Sequence, residues 1–176
     1  MYKRQEQGDI GRAINSFQTS TELNPDLTDA WIILGQLFEQ KENPIALDYF
    51  NSAVNVDPEN ITALHSKAFY LQNNGKMLDA IEIYRQIGTI DKNYIDAYLN
   101  CGILYLNLDS LDQAQEQFNI ITAIEPQNHI GYYYRGQVLE IKGNLDQAKK
   151  DYQTSLNLNS DNIRAKRALE ALAKTN

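Results

Sequence analysis

Apolar residues recur along this 176-residue chain at three- and four-residue intervals, in paired runs, and the pattern itself returns about every 34 residues. In the stretch 95–128, counted from Ile95, Tyr98, Cys101, Gly102 and Tyr105 fall at positions 4, 7, 8 and 11. At 100° per residue they share one helical face. The run breaks at Asp109–Ser110 and resumes with Leu111, Ala114, Phe118 and Ile121 at the same spacing. Ser110 with Gln113 reads as a capping box that opens this second helix. Pro126 cannot continue it, and Asn128 can cap the next one. Each unit is predicted to be helix, tight turn, helix, tight turn.

The punctuation repeats with the faces. Ala13, Ala46, Ala80, Ala114 and Ala148 stand 33, 34, 34 and 34 residues apart, and four residues after each comes Phe17, Phe50, Tyr84, Phe118 or Tyr152. Position 8 is small throughout: Gly35, Ala68, Gly102 and Gly136. Such residues let helices approach closely, with the rings filling the space between neighbours. Second helices are expected to begin at Asp9, Asn43, Lys76, Ser110 and Asn144. Gly8, Gly75 and Gly143, with Asp109 as a substitute, occupy the turn where a helix C-terminus takes a left-handed residue. The 33-residue unit reads as lacking that turn residue, with Asn43–Pro44 giving a cap followed by proline at the first helical position. A fixed period of this length marks a stacked array whose units cannot bury their apolar faces alone.

These residues resemble the tetratricopeptide repeat family, whose pattern is W-x₂-L-G-x₂-Y…A-x₃-F…P. Here it reads Trp31-x₂-Leu34-Gly35-x₂-Phe38…Ala46-x₃-Phe50…Pro58. The resemblance implies an all-α, right-handed superhelix, an α-solenoid of antiparallel helix pairs. It divides the chain into a partial repeat 1–27, full repeats 28–60, 61–94, 95–128 and 129–162, and a C-terminal capping helix 163–176. Lys67 and Arg135 replace the leucine of position 7, where long stems can pack while their charged heads reach water. Lys92 and Ser160 replace the proline, and Ile87 and Ile121 replace a small residue at position 27. Met1 to Gln7 supply only half of a first helix, so that edge is expected either to continue a longer array or to dock something, such as another copy.

On the first helix of each pair, positions 2, 5, 6, 9, 12 and 13 lie opposite the packing set, within about −80° to +40° of position 2. In tetratricopeptide repeats this face lines the concave groove. The resemblance therefore nominates Ile32, Gln36, His65, Phe69, Leu99, Asn100, Ile103, Tyr133, Tyr134 and Gln137 as candidate partner-binding residues. The set is apolar and aromatic for a face the packing leaves open, as interfaces often are. Burial of position 5 between adjacent first helices is the competing reading. Asp29, Glu39, Asp96 and Glu140 would frame the groove, so the implied ligand is a peptide or helix segment with apolar anchors and basic flanks. The family's carboxylate clamp is disfavoured, because only Asn100 matches its pattern, and an asparagine ladder at position 6 is interrupted by Ile33, Ser66 and Tyr134.

Composition narrows the chemistry. A net charge of −7 argues against a nucleic-acid partner, and no apolar run nears the length of a membrane span. Residues 28–60 hold six acids and one base, and residues 95–128 hold five acids and no base. Residues 163–176 reverse the sign, with Arg164, Lys166, Arg167 and Lys174 against Glu170. Cys101 is the single cysteine and fits a reducing compartment such as the cytoplasm, with an exported form whose signal has been removed left open. It sits on the packing face, whereas His65 sits on the open face, so a thiol–imidazole pair is not indicated. Two histidines and one cysteine without ligand spacing make a poor metal set, and no glycine-rich phosphate loop is present. The expectation is a non-catalytic scaffold without cofactor or metal that binds a protein or peptide. A self-assembling unit that associates through its N-terminal edge, or the regulatory part of a larger protein, is the alternative.

Overall fold

The computed structural model describes residues 2–174, with side chains from residue 9 onward. Met1 and the last two positions of the expected capping helix, Thr175 and Asn176, lie outside the described residues, as do the side chains of the expected first half-helix. Among the described residues the chain is ten helices and no strand. They are α1 Tyr2–Leu23, α2 Thr28–Gln40, α3 Ala46–Val56, α4 Ile61–Asn73, α5 Met77–Ile90, α6 Ile95–Asn107, α7 Leu111–Ile124, α8 His129–Ile141, α9 Leu145–Leu158 and α10 Ile163–Lys174. They gather into two compact units, Met1–Ile90 with α1 to α5 and Asp91–Asn176 with α6 to α10. Within each unit successive helices pack as hairpins, the all-α arrangement that the periodicity predicts.

The hairpin turns share one construction. Glu42, Gly75, Asp109 and Gly143 occupy the same place with φ of 53°, 76°, 55° and 80°. The next amide in each case reaches back to a carbonyl of the closing helix turn: Asn43 to Phe38, Lys76 to Leu71, Ser110 to Tyr105 and Asn144 to Leu139, at 2.8–2.9 Å. That six-to-one bond with a left-handed residue inside it is the Schellman closure. The shorter repeat therefore keeps its turn residue, Glu42, contrary to the sequence expectation. Its missing residue comes out of the start of α3, which has 11 residues against 14 for α5, α7 and α9.

Two further expectations are corrected. Gly8 and Asp9 do not mark a turn and a helix start; both lie inside α1, which runs unbroken for 22 residues. An interior glycine costs a helix only about 1 kcal/mol, so Gly8 permits a break without requiring one. The capping box at Ser110 and Gln113 does not form, because Ser110 makes no side-chain cap bond, and neither does Asn144. Those starts follow directly from a Schellman turn, which already fixes the chain entering the helix. Where a helix follows a longer link, asparagine does cap it: Asn60 Oδ1 accepts from the Ala63 amide at 3.0 Å, Asn128 Oδ1 from Ile130 and Gly131, and Asn162 Oδ1 from Ala165.

The repeating alanines and rings build the core. Ala46, Ala80, Ala114 and Ala148 are wholly buried, and Phe50, Tyr84, Phe118 and Tyr152 are buried beside them. Each such ring stabilises the fold by roughly 2–3 kcal/mol relative to exposure. The glycines of position 8 lie directly beneath the rings. A Cβ on Gly35 would stand 2.5 Å from Phe50 Cε1, one on Gly102 2.6 Å from Phe118 Cε1, and one on Gly136 2.9 Å from Tyr152 Cδ1. The packed ring, rather than backbone freedom, excludes a side chain there.

Candidate functional site

Because the paired alanines and rings consume one flank of each first helix, the opposite flank is left to face outward. In the first unit, α2 and α4 present Gln36, His65 and Phe69 there. Gln36 is exposed, His65 half-buried, and Phe69 is 44% exposed. The His65 imidazole stacks on Phe69 with centroids 6.4 Å apart and meets Tyr84 edge-on at 5.7 Å. Ile32 behaves differently. It is 4% exposed and packs with Ala53, Ala63, Trp31 and Val54, so it belongs to the core and not to the outward surface.

The second unit carries the richer surface. On α6, Leu99 and Ile103 are half-buried against the cluster of Ala114, Phe118, Ile121 and Val138, with Asn100 half-buried between them. On α8, Tyr134 stacks on Phe118 at 5.3 Å with planes 16° apart, and Tyr133 meets Tyr134 edge-on at 5.1 Å. Tyr133 also leans on Tyr152 at 6.0 Å, and Gln137 lies half-buried one turn further on. Phe118, Tyr134, Tyr133 and Tyr152 thus form one chain of rings, buried at both ends and half-buried at Tyr134 and Tyr133 in the middle.

The electrostatics of this face are mixed. Burial first, then Tyr134 and Glu140, push the Tyr133 hydroxyl above its ordinary pKa, while Arg164 draws it down. Tyr152 Oη donates to Glu140 Oε2 at 2.6 Å, and burial and this bond raise its pKa well beyond the usual tyrosine range. Of the four expected rim acids, Asp29 and Asp96 are exposed and Glu39 is half-buried. Glu140 is half-buried and already holds the Tyr152 hydroxyl.

One cluster runs against the sequence expectation. The Arg135 head is not simply solvated as its position suggests: its side chain keeps 22% exposure, and its donors are taken by neighbouring helices. Its Nε and Nη2 donate to Asp151 Oδ2 and Oδ1 at 2.7 and 2.8 Å, and Nη1 donates to Thr122 Oγ1 at 2.9 Å and Asn119 Oδ1 at 3.2 Å. The guanidinium also lies over the Tyr132 ring at 5.3 Å. Its pKa is raised chiefly by the bonds to Asp151, against the pull of burial. Arg135 therefore staples α7, α8 and α9 together at the floor of a cleft of about 310 Å³ that Gln115, Gln147 and Lys150 also line. The sequence signal for it is an arginine at a packing position with an aspartate sixteen residues on, across one hairpin. Cys101 is 1% exposed, and no group of three metal-capable side chains occurs among the described residues. Among those residues, no helix is long and apolar enough to cross a membrane.

Stacked helical hairpins with a ring-studded outer flank define the class of helical-repeat proteins. Family models described as "Tetratricopeptide repeat" match residues 4–61, 71–134 and 129–162, and the chain belongs to the tetratricopeptide repeat family. Among curated proteins it is 28% identical over 152 residues to human Tetratricopeptide repeat protein 6, covering 84% of this chain and 29% of that one. It is 23% identical over 167 residues to the DnaJ homolog subfamily C member 7 homolog of Dictyostelium discoideum, covering 85% and 29%. The chain thus spans under a third of these relatives. Among solved structures, MamA superposes with a TM-score of 0.78 at 22% identity, covering 90% of this chain and 93% of that one. YrrB, described as a TPR protein with an unusual peptide-binding site, gives 0.78 at 21%, covering 94% and 86%. The first TPR of Spaghetti (RPAP3), bound to the HSP90 peptide SRMEEVD, gives 0.63 at 24%, covering 68% and 94%. At these identities the structures establish the fold, and family and fold together support a protein–protein interaction scaffold.

Proposed function

We propose that the chain binds a peptide or helix segment of another protein on the outward flank of its first helices, and performs no chemistry of its own. The observation that carries this reading is the ladder Phe118–Tyr134–Tyr133–Tyr152, whose two ends are buried and whose middle rings, Tyr134 and Tyr133, are half-buried, with the half-buried amides Asn100 and Gln137 on the first helices α6 and α8. Rings fixed from beneath offer large contact area at small entropic cost, and the amides can bond a peptide backbone. Phe69, stacked on His65, would serve the same role in the first unit. YrrB is described as having a peptide-binding site and the RPAP3 domain as bound to an HSP90 peptide, which is consistent with this reading at the level of fold only.

The test is affinity capture with the wild type and with a Phe69→Ala, Tyr133→Ala double variant whose melting curve shows it folded. Loss of captured partners in the variant supports the groove. Identical partners from both proteins would remove it. Light scattering of the same samples bears on the alternative, since mass that grows with concentration in the absence of partner would favour self-assembly.

A further inference from the structure

The charge on α10 bears on which ligands the groove would select, an inference that rests on the groove being the binding surface. Ala165 and Leu172 of α10 are buried against Leu139, Ala148 and Tyr152, with Ala168 and Leu169 half-buried beside them. On a 100° wheel, Arg164 and Arg167 then fall together on the flank that continues the outward face of α8. Lys166 lies on the opposite flank, and Glu170 lies toward the back of the helix, about 120° round from Arg164 and about 60° from Arg167. Both arginines are exposed. Tyr133 packs against the same cluster as Ala165, the neighbour of Arg164 in the chain, which brings the start of α10 to the Tyr133 end of α8, and Arg164 acts on the Tyr133 hydroxyl electrostatically. Glu140, the acid expected at this rim, is engaged by Tyr152. At this end of the second unit the rim that the sequence predicts to be acidic therefore also carries two exposed guanidinium groups, with the Glu140 carboxylate turned to Tyr152.

We propose that this end of the groove recognises a peptide segment in which an apolar or aromatic side chain is followed, about three residues on, by acidic side chains. The ring seats on Tyr133 and Tyr134, and the carboxylates meet the guanidinium groups of Arg164 and Arg167. The spacing is taken from the general separation of neighbouring helices: α10 packs on α9, Tyr133 and Ala165 share one cluster, and about 10 Å between neighbouring axes is crossed by about three residues of extended chain. Arginine suits the task, because its planar fork bonds a carboxylate through two parallel donors.

The experiment uses the full chain and labelled short peptides with acetylated and amidated ends, so that every carboxylate comes from a side chain. One peptide carries Phe followed at the third residue by a Glu pair. Three others replace the Glu pair by Gln, the Glu pair by Lys, or the Phe by Ser. The Glu peptide is expected to bind about five-fold or more tighter than the Gln peptide, with the Lys peptide weakest, and the gap should narrow as salt shortens the screening length. Arg164→Gln, Arg167→Gln should erase the preference for Glu over Gln, whereas Lys166→Gln on the opposite flank should leave it intact. Tyr133→Ala should weaken the Glu and Gln peptides alike. Equal binding of the Glu, Gln and Lys peptides with Tyr133→Ala still harmful would overturn the acidic preference while leaving the groove standing. Indifference of every peptide to Tyr133→Ala would overturn the groove reading itself.

Discussion

Arg135 grips Asp151 through two parallel bonds of 2.7 and 2.8 Å, joining a first helix to the second helix of its own hairpin. Their side chains keep only 22% and 11% of their exposure. The pair occupies a site where the family's pattern has leucine, so its value can be separated into parts. Arg135→Leu alone leaves a poorly solvated carboxylate and is expected to cost about 3 kcal/mol in chemical denaturation. Arg135→Leu combined with Asp151→Ala removes both charges and should recover most of that loss. A double variant no more stable than the single one would show that the ion pair is not what Arg135→Leu disturbs.

Gly102 is expected to resist the substitution that usually strengthens a helix. Alanine would add helix propensity worth about 1 kcal/mol, but its Cβ would stand 2.6 Å from the ring of the wholly buried Phe118. Overpacking of this kind costs about 1–3 kcal/mol, so Gly102→Ala should lower the melting temperature. A rise would mean that Phe118 can move aside freely.

The asparagine caps and the serine that fails to cap form a matched pair. Asn60→Ala removes the acceptor of the Ala63 amide and should cost about 1 kcal/mol. Ser110→Ala removes no cap bond and should fall within about 0.5 kcal/mol of the wild type. Equal losses from the two would contradict the cap assignment.

Alkaline stability should report on Tyr152. Its folded pKa lies above the ordinary 10.0, through burial first and then the bond to Glu140. The folded chain therefore keeps a proton that the unfolded chain releases. The stabilisation is complete below pH 10 and declines as pH rises through the folded value. Tyr94, Tyr98 and Tyr133 are shifted the same way, chiefly by burial, and add to the slope. Tyr152→Phe should flatten the fall in stability above about pH 10 by up to one proton's worth, measured by denaturation at a series of pH values. An unchanged slope would place the Tyr152 hydroxyl in contact with solvent.

The hairpin order is legible in the sequence because it depends on short-range spacing: alanine, then a ring four residues on, then a turn. The same spacing cannot distinguish a glycine turn from one built on Glu42, because the left-handed backbone there is imposed by the Schellman closure and not by residue type. Gly8 misleads for the converse reason, since a glycine permits a turn without requiring one. Ile32 and Phe69 illustrate the limit for the site. Both sit on the outward face by periodicity, yet neighbours from α3 and α4 bury the first and leave the second 44% exposed. Arg135 resembles a snorkelling stem on a helical wheel, because its partner Asp151 lies on another helix, beyond the wheel's reach.

Mapping a bound peptide onto the chain by NMR chemical-shift perturbation tests the central reading most directly. With the Glu-bearing peptide, the largest shifts are expected at Leu99, Ile103, Tyr133, Tyr134 and Gln137, extending to Arg164 and Arg167. Shifts centred instead on Gln115, Asn119, Gln147 and Lys150 would put recognition in the Arg135 cleft and contradict the account.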